Sequence, residues 1–264
     1  MAETTGITWC DHTANFWWGC MKVSPGCKHC YAETLSNRYG KDIWGPAGTT
    51  DREMKKGIWK DILEWDKQAW KDGVRRRVFV SSMSDFLEDH PQVEPWRKDA
   101  MKIIENLHWL DVLLLTKRPE NAKRFLGDWF YGWPKHVWMG TSVENQATAD
   151  RRIPELLRVP AKVRFLSVEP MLEAVNIHRG YQWARGVMTD HYVAPIHWVI
   201  CGGESGPHCR PFDIAWANEL RDTCRADNIP FFMKQIGGHP HKRDKLTDFP
   251  EDLRIQEFPD LRMS

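Results

Sequence analysis

"HVWMGTSVENQATADRRIPELLRVPAKVRFLSVE", residues 136–169, decides the fold. Its two ends, 136–142 and 162–169, are short apolar runs that predict buried strands, and 146–158 between them carries a helical pattern. Strand, helix and strand in so short a span predict parallel strands joined by a right-handed crossover. The same alternation extends in both directions. Strands are expected at 13–19, 77–82, 111–116, 197–203 and 230–235, and helices at 31–39, 93–107, 119–126 and 213–227. The chain is therefore expected to be α/β, a partial or full parallel (β/α) barrel. No internal repeat or long linker divides it. Residues 1–240 are expected to form the barrel domain, with an insertion near 173–195 and a C-terminal extension at 241–264.

The strands share a second property: almost every one ends in a polar cluster. These are Ser81-Ser82-Met83-Ser84-Asp85, Thr116-Lys117-Arg118, Thr141-Ser142-Val143-Glu144-Asn145, Ser167-Val168-Glu169, Gly202-Gly203-Glu204-Ser205 and Lys234-Gln235. Parallel α/β folds build their sites from the loops that leave the carboxyl ends of the strands. Six polar ends in succession predict one functional rim.

Composition bounds the function classes. Lys plus Arg number 37 against 36 Asp plus Glu, a net charge of +1, so no global electrostatic footprint for nucleic acid or anionic membrane is visible. The short basic stretches at 74–78 and 239–245 remain weak local signals for nucleic acid. No apolar run approaches the roughly 18 residues needed to cross a bilayer, and the N-terminus lacks a signal-peptide pattern. A cytoplasmic protein is expected. The 15 tryptophans fall mostly in periodic apolar segments and read as core.

Seven cysteines are an odd number, and in a reducing compartment clustered thiols point to metal or chemistry rather than disulfides. Cys20, Cys27 and Cys30 have the spacing C-x6-C-x2-C, around the turn-forming Ser24-Pro25-Gly26. The loop lies between the first expected strand and the first expected helix, on the polar rim. Three thiolates leave one iron of a 4Fe-4S cluster open. Zinc is the competitor, with His29, His12 or Cys10 as fourth ligand, although no second C-x2-C or H-x3-H pair is present.

The strings "WWGCMKVSPGCKHCYAE", "SMSDFLED", "LLLTKRP", "GTSVEN", "RFLSVEPM", "ICGGESG" and "PFFMKQIGG" together resemble the radical S-adenosylmethionine (SAM) superfamily. Within it, they are similar to a phage and bacterial family of poorly defined function, distantly similar to spore photoproduct lyase. The resemblance implies a radical SAM barrel in which Cys20, Cys27 and Cys30 ligate a 4Fe-4S cluster. S-adenosyl-L-methionine would bind the open iron and yield a 5′-deoxyadenosyl radical. It further implies Ser82 and Asp85 near the methionine end, Ser142 and Glu144 near the ribose, and His29 or Tyr31 near the adenine. Lys117, Arg118 and Gln235 are then the substrate-binding candidates, and Glu169, Glu204 and Lys234 the catalytic ones. The implied reaction modifies or rearranges a nucleic-acid base, for instance a hypermodified thymine in phage DNA. A radical-based DNA lesion repair lyase and a zinc-binding, non-catalytic module are the alternatives. Implied partners are nucleic acid, DNA rather than RNA, and an electron donor such as flavodoxin or ferredoxin. The compartment would be the host cytoplasm if the protein is phage-encoded.

Overall fold

The computed structural model describes residues 5–181 and 195–260. Nine strands are assigned among them: β1 (His12–Ala14), β2 (Trp17–Trp18), β3 (Glu53–Met54), β4 (Arg76–Val80), β5 (Leu110–Thr116), β6 (Val137–Ser142), β7 (Arg164–Val168), β8 (Trp198–Gly202) and β9 (Phe231–Gln235). Seven form one sheet in the order β1-β4-β5-β6-β7-β8-β9, while β2 and β3 form a separate antiparallel pair. In the large sheet each strand lies beside its predecessor in the chain, without the reversal that marks a doubly wound sheet. This sequential winding, with β1 and β9 as the two ends, is the partial-barrel form of the expected α/β fold.

The chain divides into two compact units: residues 1–23 with 30–138, and residues 24–29 with 139–264. In the first, β1, β4 and β5 run parallel, with Thr13 opposite Phe79 and Phe79 opposite Leu113. Strand β5 is buried along nearly its whole length, as the continuous apolar run "LDVLLLT" requires of a strand covered on both faces. Helix α1 (Tyr31–Arg38) follows the third clustered cysteine, and α3 (Val93–Glu105) buries Val93, Ala100, Met101 and Ile104. Between them lies a helix that the sequence reading passed over, α2 (Ile58–Asp72). Its buried Ile58, Ile62, Trp65 and Ala69 recur every three or four residues, and Gly73 ends it at φ 65°. The Trp65 ring stacks on His12 of β1 at 4.5 Å.

The expected first strand, 13–19, is two short ones. Asn15 interrupts it: its amide donates to Ser82 Oγ at 2.9 Å, and its side-chain oxygen accepts from the Met83 N–H at 2.7 Å. These bonds tie the chain to the end of β4, and β2 then pairs with β3 instead of extending β1. The expected helix at 119–126 is likewise a 3-10 turn (Pro119–Asn121) followed by one helical turn, α4 (Ala122–Phe125).

In the second unit β6 to β9 are parallel, with Leu166 opposite Val199 and Cys201 opposite Met233. Gly140 is required by packing, because a Cβ there would come within 2.4 Å of the Phe165 ring. Helix α5 (Gln146–Leu157) starts with a reciprocal Asn145–Thr148 capping box, and α6 (Ile214–Ala226) is capped by Asp213. The expected insertion at 173–195 lies largely outside the described residues. Part of the expected C-terminal extension runs along β9: the Met233 N–H donates to Ile255 O and the Glu257 N–H to Phe231 O. It covers a sheet edge that would otherwise present free backbone groups.

Candidate functional site

Within each unit the parallel strands put their carboxyl ends on one side, and the sequence-predicted residues gather there. In the first unit Gly19 turns the chain out of β2 at φ 107°, where a Cβ would lie 2.5 Å from the Ile43 carbonyl. Cys20 follows. The residue is half-buried, and its sulfur lies 3.6 and 3.7 Å from Arg118 Nη1 and Nη2. Arg118 Nη1 also donates to Asp85 Oδ2 at 2.7 Å, and Nη2 to the Met21 carbonyl at 2.7 Å. Asp85 takes three further bonds, from the Leu87 N–H, the Thr116 hydroxyl and the Lys117 N–H. Four donors fill the capacity of a carboxylate.

This network governs the ionisation of its members. Burial alone would raise the Asp85 carboxyl, but the Arg118 charge and the three hydrogen bonds outweigh it and hold it below the usual range. For Arg118, burial opposes the charge, yet Asp85, Cys20 and Glu88 together hold its proton more firmly than usual. Burial pushes the free Cys20 thiol well up, with Arg118 pulling the other way.

Around this core stand residues that the sequence reading did not single out. Glu88 accepts from the Met21 N–H at 2.9 Å and takes a two-pronged, buried ion pair from Arg52. Asn15 anchors Ser82, as described. The Tyr31 phenol donates to the Ser82 carbonyl at 2.5 Å, so these two expected cofactor contacts do meet, while the Tyr31 ring stays 58% exposed. Ser81 adopts φ 71°, uncommon for a residue with a side chain, and the buried Ser81 and Ser84 hydroxyls have no partner among the described residues. Cys30 sits at the start of α1.

Cys27 and His29 belong to the second unit. There Glu144 is fully enclosed. Its Oε2 accepts from Arg152 Nη1 at 2.8 Å and its Oε1 from the Ser24 hydroxyl at 2.7 Å. Arg152 also donates to the Ser142 carbonyl. Gly26 packs so closely on Glu144 that a Cβ would stand 2.3 Å from its Cγ. Glu204 is gripped by Arg210 through Nε, Nη2 and the backbone N–H, and the remaining Nη1 donates to the Pro25 carbonyl at 3.0 Å. Burial would raise the Glu204 carboxyl, but the Arg210 bonds and charge hold it low. The three-residue turn before Cys27, the feature that widens the cysteine spacing, is thus bound at Ser24, Pro25 and Gly26. The His29 and His208 rings lie 5.8 Å apart.

At the ends of β7 and β9, Lys234 Nζ donates to Glu169 at 2.5 Å, with both side chains about a fifth exposed. Gln235 donates to the Gly203 carbonyl and the Ser205 hydroxyl. The structure therefore brings together Arg118 with Asp85 and Cys20, Tyr31 with Ser82, and Glu169 with Lys234.

None of the seven cysteines forms a disulfide. Among the described residues no three His, Cys, Asp or Glu side chains are grouped to hold a metal ion. At Cys20, the Arg118 guanidinium supplies cationic N–H donors of the kind that a metal-bound thiolate accepts. His12 is stacked on Trp65, and the Cys10 thiol is turned to the Ile7 carbonyl at 3.8 Å. The basic run at 75–77 is neutralised locally: Arg75 pairs with Asp111, Arg76 with Asp72 and Arg77 with Asp11.

Fold and strand-end chemistry define the chain as a parallel α/β protein of the partial-barrel class. It belongs to the family described as "Protein of unknown function (DUF5131)", whose model matches residues 4–255. Among solved structures it is similar to a tyrosine-to-phenylalanine mutant of spore photoproduct lyase, at 13% identity and a TM-score of 0.50. It is equally similar to a cysteine-to-alanine mutant of that lyase with dinucleoside spore photoproduct, at 13% identity and a TM-score of 0.51. Each match covers 80% of this chain and 71% of the other. No curated protein matches the sequence. No helix among the described residues is long and apolar enough to cross a membrane.

Proposed function

We propose that the protein is a radical SAM enzyme acting on a nucleic-acid base. The observation that carries this reading is the loop of three cysteines, none in a disulfide, leaving the first strands of a sequentially wound parallel sheet. Cys20, Cys27 and Cys30 would hold a 4Fe-4S cluster, which together with S-adenosylmethionine would supply radical chemistry at a substrate C–H bond. The chain's own residues bind and orient. Ser82 and Ser142 contact the cofactor, with Tyr31 or His29 beside the adenine. Glu144 acts through the residues it holds, Ser24 and Gly26, and Asp85 through Arg118. Lys117 and Gln235 meet the substrate. Glu204 orients Arg210, and Lys234, with Glu169 as counter-ion, delivers a proton to the substrate.

The substrate class rests on the likeness to a lyase solved with a dinucleoside photoproduct, which also favours, as a second reading, repair of a base lesion over modification of an intact base. An enzyme of either kind must work on single strands or extrude its target. Reduction would come from an external flavodoxin- or ferredoxin-like donor.

The test is anaerobic purification, iron and sulfide analysis, reduction with dithionite and assay for 5′-deoxyadenosine. Bound iron and sulfide with release of 5′-deoxyadenosine are expected. Colourless protein that leaves S-adenosylmethionine intact would overturn the reading, and a Cys27→Ala variant with a full cluster would overturn the ligand set.

A further inference from the structure

Arg118 follows β5 and reads, from sequence, as a substrate-binding candidate. Its guanidinium instead faces inward. Both terminal nitrogens approach the Cys20 sulfur, one also bonds Asp85, and the other also bonds the Met21 carbonyl next to Cys20. The side chain is buried, and Glu88, itself fixed by Arg52, lies 3.9 Å from Nη2. A planar fork held at its far side by a carboxylate has little freedom to turn away from the sulfur. A core thiol needs no such partner, because sulfur is a weak acceptor.

We infer that Arg118 is a positioning residue whose N–H contacts to Cys20 set the reduction potential of the cluster, and that Asp85 holds the guanidinium in place. The inference rests on the cluster reading above. Hydrogen bonds to a ligating sulfur and a nearby positive charge both favour the reduced, more negative cluster and raise its potential. The opposing carboxylates Asp85 and Glu88 keep the patch from carrying excess positive charge. Lysine at 118 would keep the charge but lose the fork, and glutamine would lose both.

The experiment uses the full chain, reconstituted anaerobically with iron and sulfide, and follows the reduced cluster by electron paramagnetic resonance during a redox titration. Circular dichroism and thermal melting establish that each variant is folded. At the poise that half-reduces the wild type, Arg118→Lys should show unchanged iron and sulfide content but about tenfold less reduced relative to oxidised cluster, a shift of about 59 mV for one electron. Arg118→Gln should shift further in the same direction. If the glutamine variant fails to fold, the lysine variant decides. Folded, fully loaded variants with the wild-type midpoint would overturn the inference alone. A folded Arg118→Lys protein that takes up no iron would also overturn it, since Arg118 would then serve assembly rather than potential. Wild-type protein that takes up no iron and sulfide would overturn the cluster reading, and this inference with it.

Discussion

Asp85 shows how much one strand-end residue can carry. Its four bonds keep Arg118 charged and oriented inside the fold. Asp85→Asn would take from a buried guanidinium its directly bonded counter-ion and leave only Glu88 at 3.9 Å, a change that typically costs about 3–5 kcal/mol; urea unfolding should show the loss. Its pH dependence has a definite sign. Because the folded carboxyl titrates below the unfolded value of about 3.9, its contribution is complete above that value and is lost as the pH falls through the lowered one. The asparagine variant should therefore show a flatter acid limb in a stability–pH profile. Gly26 gives a second residue-scale prediction. A Cβ there would meet Glu144 at 2.3 Å, so Gly26→Ala should displace the turn and destabilise by about 1–3 kcal/mol. An equal melting temperature would contradict the packing argument. Sequence showed that Asp85, Arg118 and Glu144 were polar residues at strand ends, but not their partners. The Arg118–Cys20 contact spans 98 residues and the Glu144–Ser24 bond 120, and no local pattern encodes a pairing at that distance.

At the scale of elements, strands β4 to β9 fell within two residues of the expected bounds, because buried parallel strands are apolar runs ending in visible turn chemistry. Helix α2 was missed although its apolar spacing is regular, since its buried anchors Ile58, Ile62, Trp65 and Ala69 are interleaved with charged residues and no side-chain cap marks its start. The division of the first strand was hidden for a different reason. It depends on Asn15 bonding to the end of β4, a tertiary event. The C-terminal segment leads to a prediction of its own. It pairs with edge strand β9, and the Phe258 ring packs at an angle against Trp198 and Phe232. Deleting residues from 250 onward should expose the backbone of β9 and those rings, and cause association. Size-exclusion chromatography should then show more of the higher species than the full chain does; an unchanged profile would mean that the edge is protected in another way.

For the molecule as a whole, the near-neutral composition is matched by local neutralisation. Arg75, Arg76 and Arg77 each have an acidic partner, so the most basic string in the first half of the chain is not a free phosphate patch. Exposed pairs of this kind contribute about 0–1 kcal/mol. Arg76→Gln should accordingly leave affinity for single-stranded DNA within about twofold and the slope of binding against salt unchanged; a slope reduced by about one would place Arg76 on a phosphate. The fold class was legible because strand and helix periods differ and their alternation is long. Function was legible only as far as the three cysteines and the rim, since substrate recognition depends on which strand-end groups remain available after their neighbours have bound them.

The widened cysteine spacing also bears on how the chain reaches this state. Ser24 closes its bond to Glu144 across 120 residues, and Pro25 meets Arg210 across 185. During synthesis at roughly 5–20 residues per second, the turn before Cys27 must wait on the order of ten seconds or more for its two anchors to be made. Until then it is an untethered loop carrying an accessible thiol. The cysteine loop is thus anchored late although it is made among the first, because its partners at 144 and 210 must be synthesised before it can close.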